Sequence, residues 1–177
     1  MNGGGRIRLF CALRLPAGVL DELVAWQEQL AGGGRLVRRE NLHVTLAFLG
    51  RVDAARLPEV GDALRESAAR AGKIVLATAR YRETRSVAML VLDDEGGRAA
   101  ALAADLQSHL ELAGLYRKEG RPWLPHVTVL RFRERPRLRP DPPDLGRVAP
   151  SDAAAFLSRL GPSGAQYDVL ESHALGG

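Results

Sequence analysis

The sequence predicts an α+β fold in which mainly antiparallel sheets form two pseudo-symmetric lobes around a central cleft, with helices on the outside. Three observations support this prediction. The length of 177 residues suits one domain, because typical domains contain roughly 100 to 200 residues. Strand-like and helix-like segments mix without the strict alternation of a parallel doubly wound sheet. One tripeptide occurs twice, which indicates two related halves within a single bilobal domain spanning residues 1–177.

The opening of the chain reads as a strand, a helix and two further strands. Residues 6–13 alternate well enough for a strand, and apolar residues recur on one side of a helical pattern between 20 and 30. Three glycines at 32–34 are expected to end that helix. The next apolar segments predict strands at 36–37 and 42–49.

A strand-ending residue and a helix-capping residue then mark the start of the second helix. Gly50 is expected to stop the preceding strand, and Asp53 to cap a helix that runs to about residue 71. Two apolar runs beyond this helix predict strands at 74–77 and 87–92.

The strongest helical pattern lies at 98–113, where three leucines form one stripe and Gly114 closes the helix. A strand is predicted at 126–132. The prolines and arginines of 133–144 forbid a central strand and predict an extended surface loop. A closing hairpin is predicted from segments 153–160 and 167–170.

Composition excludes several classes of protein. With 46% hydrophobic and 26% charged residues, the chain is an ordinary globular one rather than a disordered one. No apolar run approaches the roughly 20 residues of a membrane span, and the first residues lack the hydrophobic stretch of a signal peptide. We therefore expect a soluble, cytoplasmic protein without a membrane partner. The single cysteine, Cys11, lies among apolar residues and is predicted to be a small buried side chain.

The charge pattern is compatible with binding of nucleic acid or nucleotides. The net charge is +4, and 23 of the 25 basic residues are arginines, whose planar guanidinium matches phosphate oxygens. Codon bias in a GC-rich genome explains the arginines equally well, so the charge alone does not establish binding of nucleic acid or nucleotides. The sequence contains neither a Gly-x-x-x-x-Gly-Lys phosphate loop nor a Gly-x-Gly-x-x-Gly fingerprint. Chemistry driven by triphosphates or dinucleotides thus lacks its usual markers.

The repeated tripeptide is His-Val-Thr, at His43 to Thr45 and at His126 to Thr128, 83 residues apart. In a strand, side chains two residues apart point to the same face, so each histidine shares a face with its threonine while the valine points to the other. If a pseudo-twofold axis relates the two strands, two imidazoles and two hydroxyls come together.

This set of side chains suits displacement at phosphorus. That reaction needs a base for the incoming oxygen, an acid for the leaving oxygen, and donors for the non-bridging oxygens. Histidine can be the acid or the base near neutral pH, because its ordinary pKa is about 6.5. A zinc site is the competing chemistry, but neither histidine has another ligand at zinc-binding spacing. We therefore expect no metal. The plainer alternative is that the histidine and threonine of each motif are ordinary strand residues without a catalytic role.

At these residues the sequence resembles the two-histidine phosphoesterase superfamily, and specifically its bacterial and archaeal branch of RNA 2′,3′-cyclic phosphodiesterases, also called 2′-5′ RNA ligases. The similarity spans nearly the whole chain. It rests on segments 8–13, 40–50 and 125–131, and on segment 158–162 together with Tyr167.

The resemblance implies opening of a terminal 2′,3′-cyclic phosphate to a 2′-phosphate without metal or other cofactor, in a cleft between two antiparallel sheets. It assigns His43 as the acid that protonates the departing 3′ oxygen and His126 as the base that activates water. It also implies that Thr45 and Thr128 bind phosphate oxygens and that Arg131 contacts the phosphate. Arg131 is five residues after His126, and strict alternation places it on the opposite face, so its reach requires a bulge or strand twist.

Two aromatic residues are further candidates for the substrate site. Trp123 and Phe48 could stack a terminal base, because aromatic side chains suit single-stranded ends. Core packing is the favoured alternative for Phe48 and an equal alternative for Trp123. His109 and His173 are predicted to be solvated residues outside the site.

Two rival functions remain open from the sequence. A relative acting on a small cyclic nucleotide or an ADP-ribose cyclic phosphate would use the same histidines and threonines. A non-catalytic module that binds nucleotides or RNA would keep the cleft, but binding alone does not require both a proton donor and a proton acceptor. The expected partners are RNA ends or nucleotides that carry a 2′,3′-cyclic phosphate, and the expected state is a monomer.

Overall fold

An antiparallel sheet of eight strands forms the centre of the protein, which a computed structural model describes for residues 4–176. The strands are β1 (Arg6–Arg14), β2 (Arg35–Leu36), β3 (His43–Asp53), β4 (Leu76–Glu83), β5 (Val87–Asp94), β6 (His126–Arg131), β7 (Asp152–Gly161) and β8 (Gly164–His173). Seven of them lie in the order β4-β5-β6-β3-β1-β7-β8, and the short β2 pairs with the end of β6. The pairings between these strands are antiparallel, as the sequence predicts.

Three α-helices lie within the described residues: α1 (Ala17–Gln27), α2 (Leu57–Arg70) and α3 (Arg98–Leu112). The predicted stripe of α3 is confirmed, because Leu102, Leu106 and Leu110 are buried in the main core. Helices α2 and α3 pack against each other and against the sheet. None of these helices is long and apolar enough to cross a membrane.

The strand β1 shows how the sheet separates two environments. Leu9, Cys11 and Leu13 belong to the main core, which the helices cover, whereas Phe10 and Ala12 belong to a small second cluster. The alternation follows from the period of two in a strand. Cys11 is fully buried, as predicted, and burial, assisted by the charge of Glu171, raises the pKa of its thiol to about 12. The thiol therefore stays protonated at neutral pH.

The predicted internal repeat is visible in the order of elements. The series β1, α1, β3 is matched by β5, α3, β6, and the two histidine strands are neighbours at the centre of the sheet. Strand β1 flanks β3 on one side and β5 flanks β6 on the other, so the arrangement is symmetric about the junction of β3 and β6. This junction joins the sheets of the two halves into one.

Gly50 does not end its strand, contrary to expectation, because β3 continues through it to Asp53. Gly50 has a φ of +71°, a left-handed conformation that glycine adopts without strain. The pairing of β1 with β3 shifts register at this point, between Leu9 and Phe10. Gly50 thus lies beside a bulge instead of at a strand end. Asp53 caps a single 3-10 turn, Ala54–Arg56, instead of the α-helix itself, and accepts a hydrogen bond from the backbone N–H of Ala55 at 3.0 Å. Helix α2 follows directly at Leu57.

Strand β4 is longer than its apolar run predicts. The run at 74–77 covers only its beginning, because exposed arginines at positions 80 and 82 interrupt the apolar pattern. The closing hairpin of β7 and β8 is confirmed and is also longer than predicted.

The Pro- and Arg-rich loop after β6 has no regular structure through residue 146, as predicted, but a buried carboxylate fixes it in place. Glu83, whose side chain is 2% exposed, accepts hydrogen bonds from Arg135 Nε at 3.1 Å and from the backbone N–H groups of Arg137 and Leu138 at 3.0 and 2.7 Å. The Tyr81 hydroxyl donates a fourth bond at 2.9 Å. Burial by itself raises the pKa of Glu83, but these bonds together lower it below its ordinary value. The carboxylate is therefore ionised at neutral pH.

Candidate active site

The repeated tripeptides lie side by side on β3 and β6. Val44 pairs with Val127 across the junction of the two strands, and both valines are buried in the main core. Extending this antiparallel register by one residue in each direction places each motif histidine opposite the threonine of the other motif. Because side chains alternate along a strand, the two imidazoles and two hydroxyls share the sheet face that the helices leave uncovered.

This face forms a cleft of about 600 Å³. Of the residues that the sequence singles out, the cleft is lined by His43, Thr45, Thr128, Arg131 and Phe48. His126 is half-buried at the start of β6, where the register sets it opposite Thr45.

Both motif histidines are oriented by the same backbone contact. His43 Nδ1 lies 2.8 Å from the carbonyl oxygen of Asn41, and His126 Nδ1 lies 2.7 Å from that of Leu124. A carbonyl only accepts, so Nδ1 carries the proton in each ring and Nε2 is left with its lone pair in the neutral form. His43 Nε2 is 3.0 Å from Thr45 Oγ1, whose hydroxyl donates to it. Each ring thus has Nε2 available for proton transfer.

Aromatic side chains bury the ring of His43. It stacks on Phe10 with 4.9 Å between ring centroids and meets the edge of Tyr167 at 5.6 Å. This burial lowers the pKa of His43 to about 4, against the hydrogen bond from its ring to the Asn41 carbonyl, and positive charge on His126 and Arg131 lowers it further. His43 is therefore neutral at pH 7 in the free protein.

The lowered pKa has a consequence for folding stability. The unfolded chain binds a proton at His43 with the ordinary pKa of about 6.5, whereas the folded protein stays neutral there until about pH 4. We expect this residue to lower the free energy of unfolding as pH falls from 6.5 towards 4, by up to about 3 kcal/mol. Urea unfolding of the wild type and of His43→Gln from pH 4 to 8 measures the effect. The two proteins should converge or cross as pH falls, and parallel curves would contradict the assignment.

A bulge follows each tripeptide and reverses the alternation of side chains. Between β1 and β3 the register skips Leu46, and between β5 and β6 it skips Val129. In each strand the bulged residue and the next one are both buried. The fifth residue after each histidine consequently returns to the cleft face.

The bulges decide the position of two candidate residues. The bulge that Arg131 requires to reach the cleft is present at Val129, and Arg131 lines the cleft. Phe48 occupies the equivalent position on β3 and is 47% exposed in the cleft. The expectation that Phe48 packs in the core is therefore wrong, because strict alternation overlooks the bulge at Leu46.

Trp123 does not line the cleft. Its side chain packs against the main core, and its indole Nε1 donates to the backbone carbonyl of Thr45 at 3.0 Å. Stacking of a substrate base on Trp123 does not fit this position. The residue instead supports the backbone of the first motif.

Neither remaining histidine lies in the cleft. His109, on α3, is within 3.4 Å of Ser67 Oγ and forms an ion pair with Asp105 when protonated. His173 is less solvated than predicted, because its Nε2 lies 2.7 Å from a Glu171 carboxylate oxygen. Among residues 4–176 no group of three or more potential metal ligands occurs.

Sequence reasoning missed three arginines of the cleft. Arg8, Arg35 and Arg38 line it together with Arg131, and the described residues that line it include no aspartate or glutamate. Arg8 lies over the Phe48 ring, with its guanidinium carbon 4.9 Å from the ring centroid. The only sequence signal for the cleft position of Arg8 is that it alternates with the core residues of β1. The cleft is therefore strongly positive.

The chain is similar to known phosphoesterases. Residues 13–82 match the family model described as LigT like Phosphoesterase. The chain is 26% identical over 175 residues to the RNA 2′,3′-cyclic phosphodiesterase of Methanocaldococcus jannaschii, covering 93% of this chain and 99% of that protein. It is 29% identical over 174 residues to the RNA 2′,3′-cyclic phosphodiesterase of Escherichia coli, covering 95% and 96%.

Solved structures show the same fold. The crystal structure of E. coli LigT complexed with 3′-AMP is similar with a TM-score of 0.84 and 25% identity, covering 97% of this chain and 99% of that one. The crystal structure of a Thermus thermophilus protein is similar with a TM-score of 0.79 and 28% identity, with the same coverage. The predicted α+β fold with antiparallel strands around a cleft is thus confirmed.

Proposed function

We propose that this chain, which is similar to LigT-like phosphoesterases over residues 13–82 and to two RNA 2′,3′-cyclic phosphodiesterases over nearly its full length, is itself an RNA 2′,3′-cyclic phosphodiesterase that opens a terminal cyclic phosphate to a 2′-phosphate. One observation carries the proposal. The pairing of Val44 with Val127 sets two imidazoles and two hydroxyls on one face of the sheet, and His43, Thr45 and Thr128 line the positive cleft on that face. These are the groups that displacement at phosphorus needs.

In the proposed reaction His126 Nε2 takes a proton from water, and the water oxygen attacks phosphorus. The bond between phosphorus and the 3′ oxygen breaks, and His43 Nε2 gives its proton to that oxygen. The product carries a 2′-phosphate and a free 3′-hydroxyl. A second RNA with a 5′-hydroxyl in place of water would use the same groups to form a 2′-5′ linkage.

The hydroxyls of Thr45 and Thr128 would donate to the non-bridging oxygens of the phosphate. Arg131 would add a charged donor. His43 is neutral in the free protein, so it must gain its proton when substrate binds. The negative charge of the phosphate favours this, because an opposite charge nearby raises the pKa of an imidazole.

One chain supplies every side chain of the proposed site. We accordingly expect the enzyme to act as a monomer, and the sequence leads us to expect it in the cytoplasm. Phe48 is the aromatic candidate for contact with the terminal base, because its ring is exposed in the cleft beneath Arg8.

We expect the protein to hydrolyse RNA ending in a 2′,3′-cyclic phosphate in the presence of EDTA, and to release a 2′-phosphate rather than a 3′-phosphate. Chromatography of the products against both standards identifies the isomer. The His43→Gln variant, purified in the same way, controls for contaminating nucleases. Activity that disappears in chelator and returns with zinc or manganese would exclude the metal-free mechanism. A 3′-phosphate product would show that the wrong oxygen has been taken as the leaving group.

A further inference from the structure

The cleft contains more positive charge than one reacting phosphate can neutralise. Arg8, Arg35, Arg38 and Arg131 line it, and within residues 4–176 none of these four takes part in an ion pair. A cyclic phosphodiester has one negative charge and two non-bridging oxygens. The two motif hydroxyls already match those oxygens, so most of the guanidinium groups have no acceptor in the reacting phosphate.

Two of these arginines face each other directly. Arg35 on β2 is the cross-strand partner of Arg131 on β6, and like charges in directly opposite positions destabilise a sheet. Arg38, two residues beyond the end of β2, is exposed, and its Nη2 reaches only the carbonyl oxygen of Ser163 at 3.4 Å. An anion held between these side chains would offset their repulsion.

The position of the arginines relative to the motifs indicates which anion fits. Arg131 is three residues beyond Thr128, about 10 Å along β6, and Arg35 lies beside it. This end of the cleft is opposite to the end that Phe48 and Arg8 occupy beyond Thr45 on β3. A group that offsets the repulsion would therefore extend from the reacting nucleotide towards this end of the cleft.

We propose that Arg35 and Arg38 form a second phosphate subsite, which binds the phosphate on the 5′ side of the terminal nucleoside. This inference rests on the proposed function and gives it a substrate class. The protein would act on ends of RNA chains in preference to a nucleoside 2′,3′-cyclic phosphate alone. Arg131, opposite Arg35 on the neighbouring strand, would contact the reacting phosphate.

The test compares three substrates that differ on the 5′ side of the terminal nucleoside, two of which differ only in the charge of the linkage. These are adenosine 2′,3′-cyclic phosphate, the dinucleotide ApA with a 2′,3′-cyclic phosphate end, and the same dinucleotide with an uncharged methylphosphonate linkage. We expect kcat/KM for the charged dinucleotide to exceed the other two by roughly 10- to 100-fold, the effect of a hydrogen bond to a charged group. Equal values for the charged and uncharged dinucleotides would overturn the inference.

Variants assign the effect to the residues. Arg35→Ala and Arg38→Ala should each reduce the advantage of the charged dinucleotide over the uncharged one, and should change the rate with adenosine 2′,3′-cyclic phosphate by a smaller factor than the rate with the charged dinucleotide. Each should also reduce the slope of log kcat/KM against log salt by about 0.7 for that dinucleotide. Arg65→Ala is the matched control, because Arg65 is exposed on α2, which packs against the covered side of the sheet. If Arg65→Ala has the same effect as the cleft variants, the inference is wrong.

A further substrate distinguishes two sources of the phosphate. The mononucleotide with both a 5′-phosphate and a 2′,3′-cyclic phosphate offers a terminal group instead of an internal linkage. A gain with this nucleotide as well as with the dinucleotide supports the subsite for any 5′-phosphate. A gain with the dinucleotide alone supports it for internal linkages.

Failure of the proposed function would look different from failure of the subsite. If no cyclic phosphate is hydrolysed, the proposed function is wrong, and binding becomes the test. Calorimetry with ApA carrying a 2′-phosphate, with and without the charged linkage, then measures the subsite directly. We expect tighter binding of the charged form that Arg35→Ala removes, and equal binding of both forms would overturn the subsite.

Discussion

Replacement of His126 or His43 by alanine is expected to lower kcat by at least about 100-fold. Transfer of a proton by a positioned side chain typically contributes 10²- to 10⁴-fold to an enzymatic rate. Each imidazole has its Nδ1 bonded to a backbone carbonyl, which leaves Nε2 for the reaction. Single-turnover measurements with the RNA substrate test this, because they separate chemistry from product release.

Four further variants make the result specific to proton transfer. His109→Ala, on α3, should change kcat by no more than about twofold. Thr45→Ala and Thr128→Ala should cost roughly tenfold or less, because each removes one neutral hydrogen bond to the phosphate. Because His43 stacks on Phe10, its alanine variant also loses packing, and His43→Gln provides a second variant of similar size. A near-normal rate in either His43 variant with an intact fold would leave that residue a purely structural role.

The largest expected effect on stability follows replacement of Glu83 by glutamine. The amide keeps one accepting oxygen but presents an NH2 group to donors, so at least one buried donor loses its partner. Arg135 also loses its counter-charge. We expect a loss of roughly 3 kcal/mol in the free energy of unfolding. For a chain of this size that is a decrease of about 10 °C in Tm.

Glu119→Gln is the matched control for this variant. Glu119 also pairs with an arginine, Arg121, but both side chains are more than half exposed, and surface pairs of this kind contribute about 1 kcal/mol or less. Because bonding lowers the pKa of Glu83 in the folded protein, its contribution is present at neutral pH and is lost as pH falls through the lowered pKa. Equal Tm values for the two variants at pH 7 would show that the loop does not depend on Glu83.

Features with a local cause could be predicted from the sequence. The period of two placed the valine of each tripeptide in the core, and the period of 3.6 placed Leu102, Leu106 and Leu110 on the buried side of α3. Asp53 was recognised because a capping side chain acts within a few residues. The pairing of the two motifs followed from their repetition.

Features that depend on distant partners could not be predicted. Three of the four bonds of Glu83 connect β4 to a loop more than 50 residues away, and nothing near Glu83 in the sequence marks it as buried. Arg35 enters the cleft because β2 pairs with β6. Phe48 was misplaced because a bulge depends on the neighbouring strand as well as on the strand that contains it.

The two bulges let each motif strand bury two consecutive side chains and still present the fifth residue after its histidine to the cleft. At Leu46 and Val129 any apolar side chain of similar volume keeps the backbone path. Loss of either residue would restore regular alternation and leave the next cleft side chain, Phe48 or Arg131, on the same face. Insertion of one residue after the bulge would instead turn that side chain by half a rotation into the apolar interior, where a guanidinium would be buried without a partner. Single-residue insertions in these two stretches are therefore far less tolerable than substitutions or loss of the bulged residue.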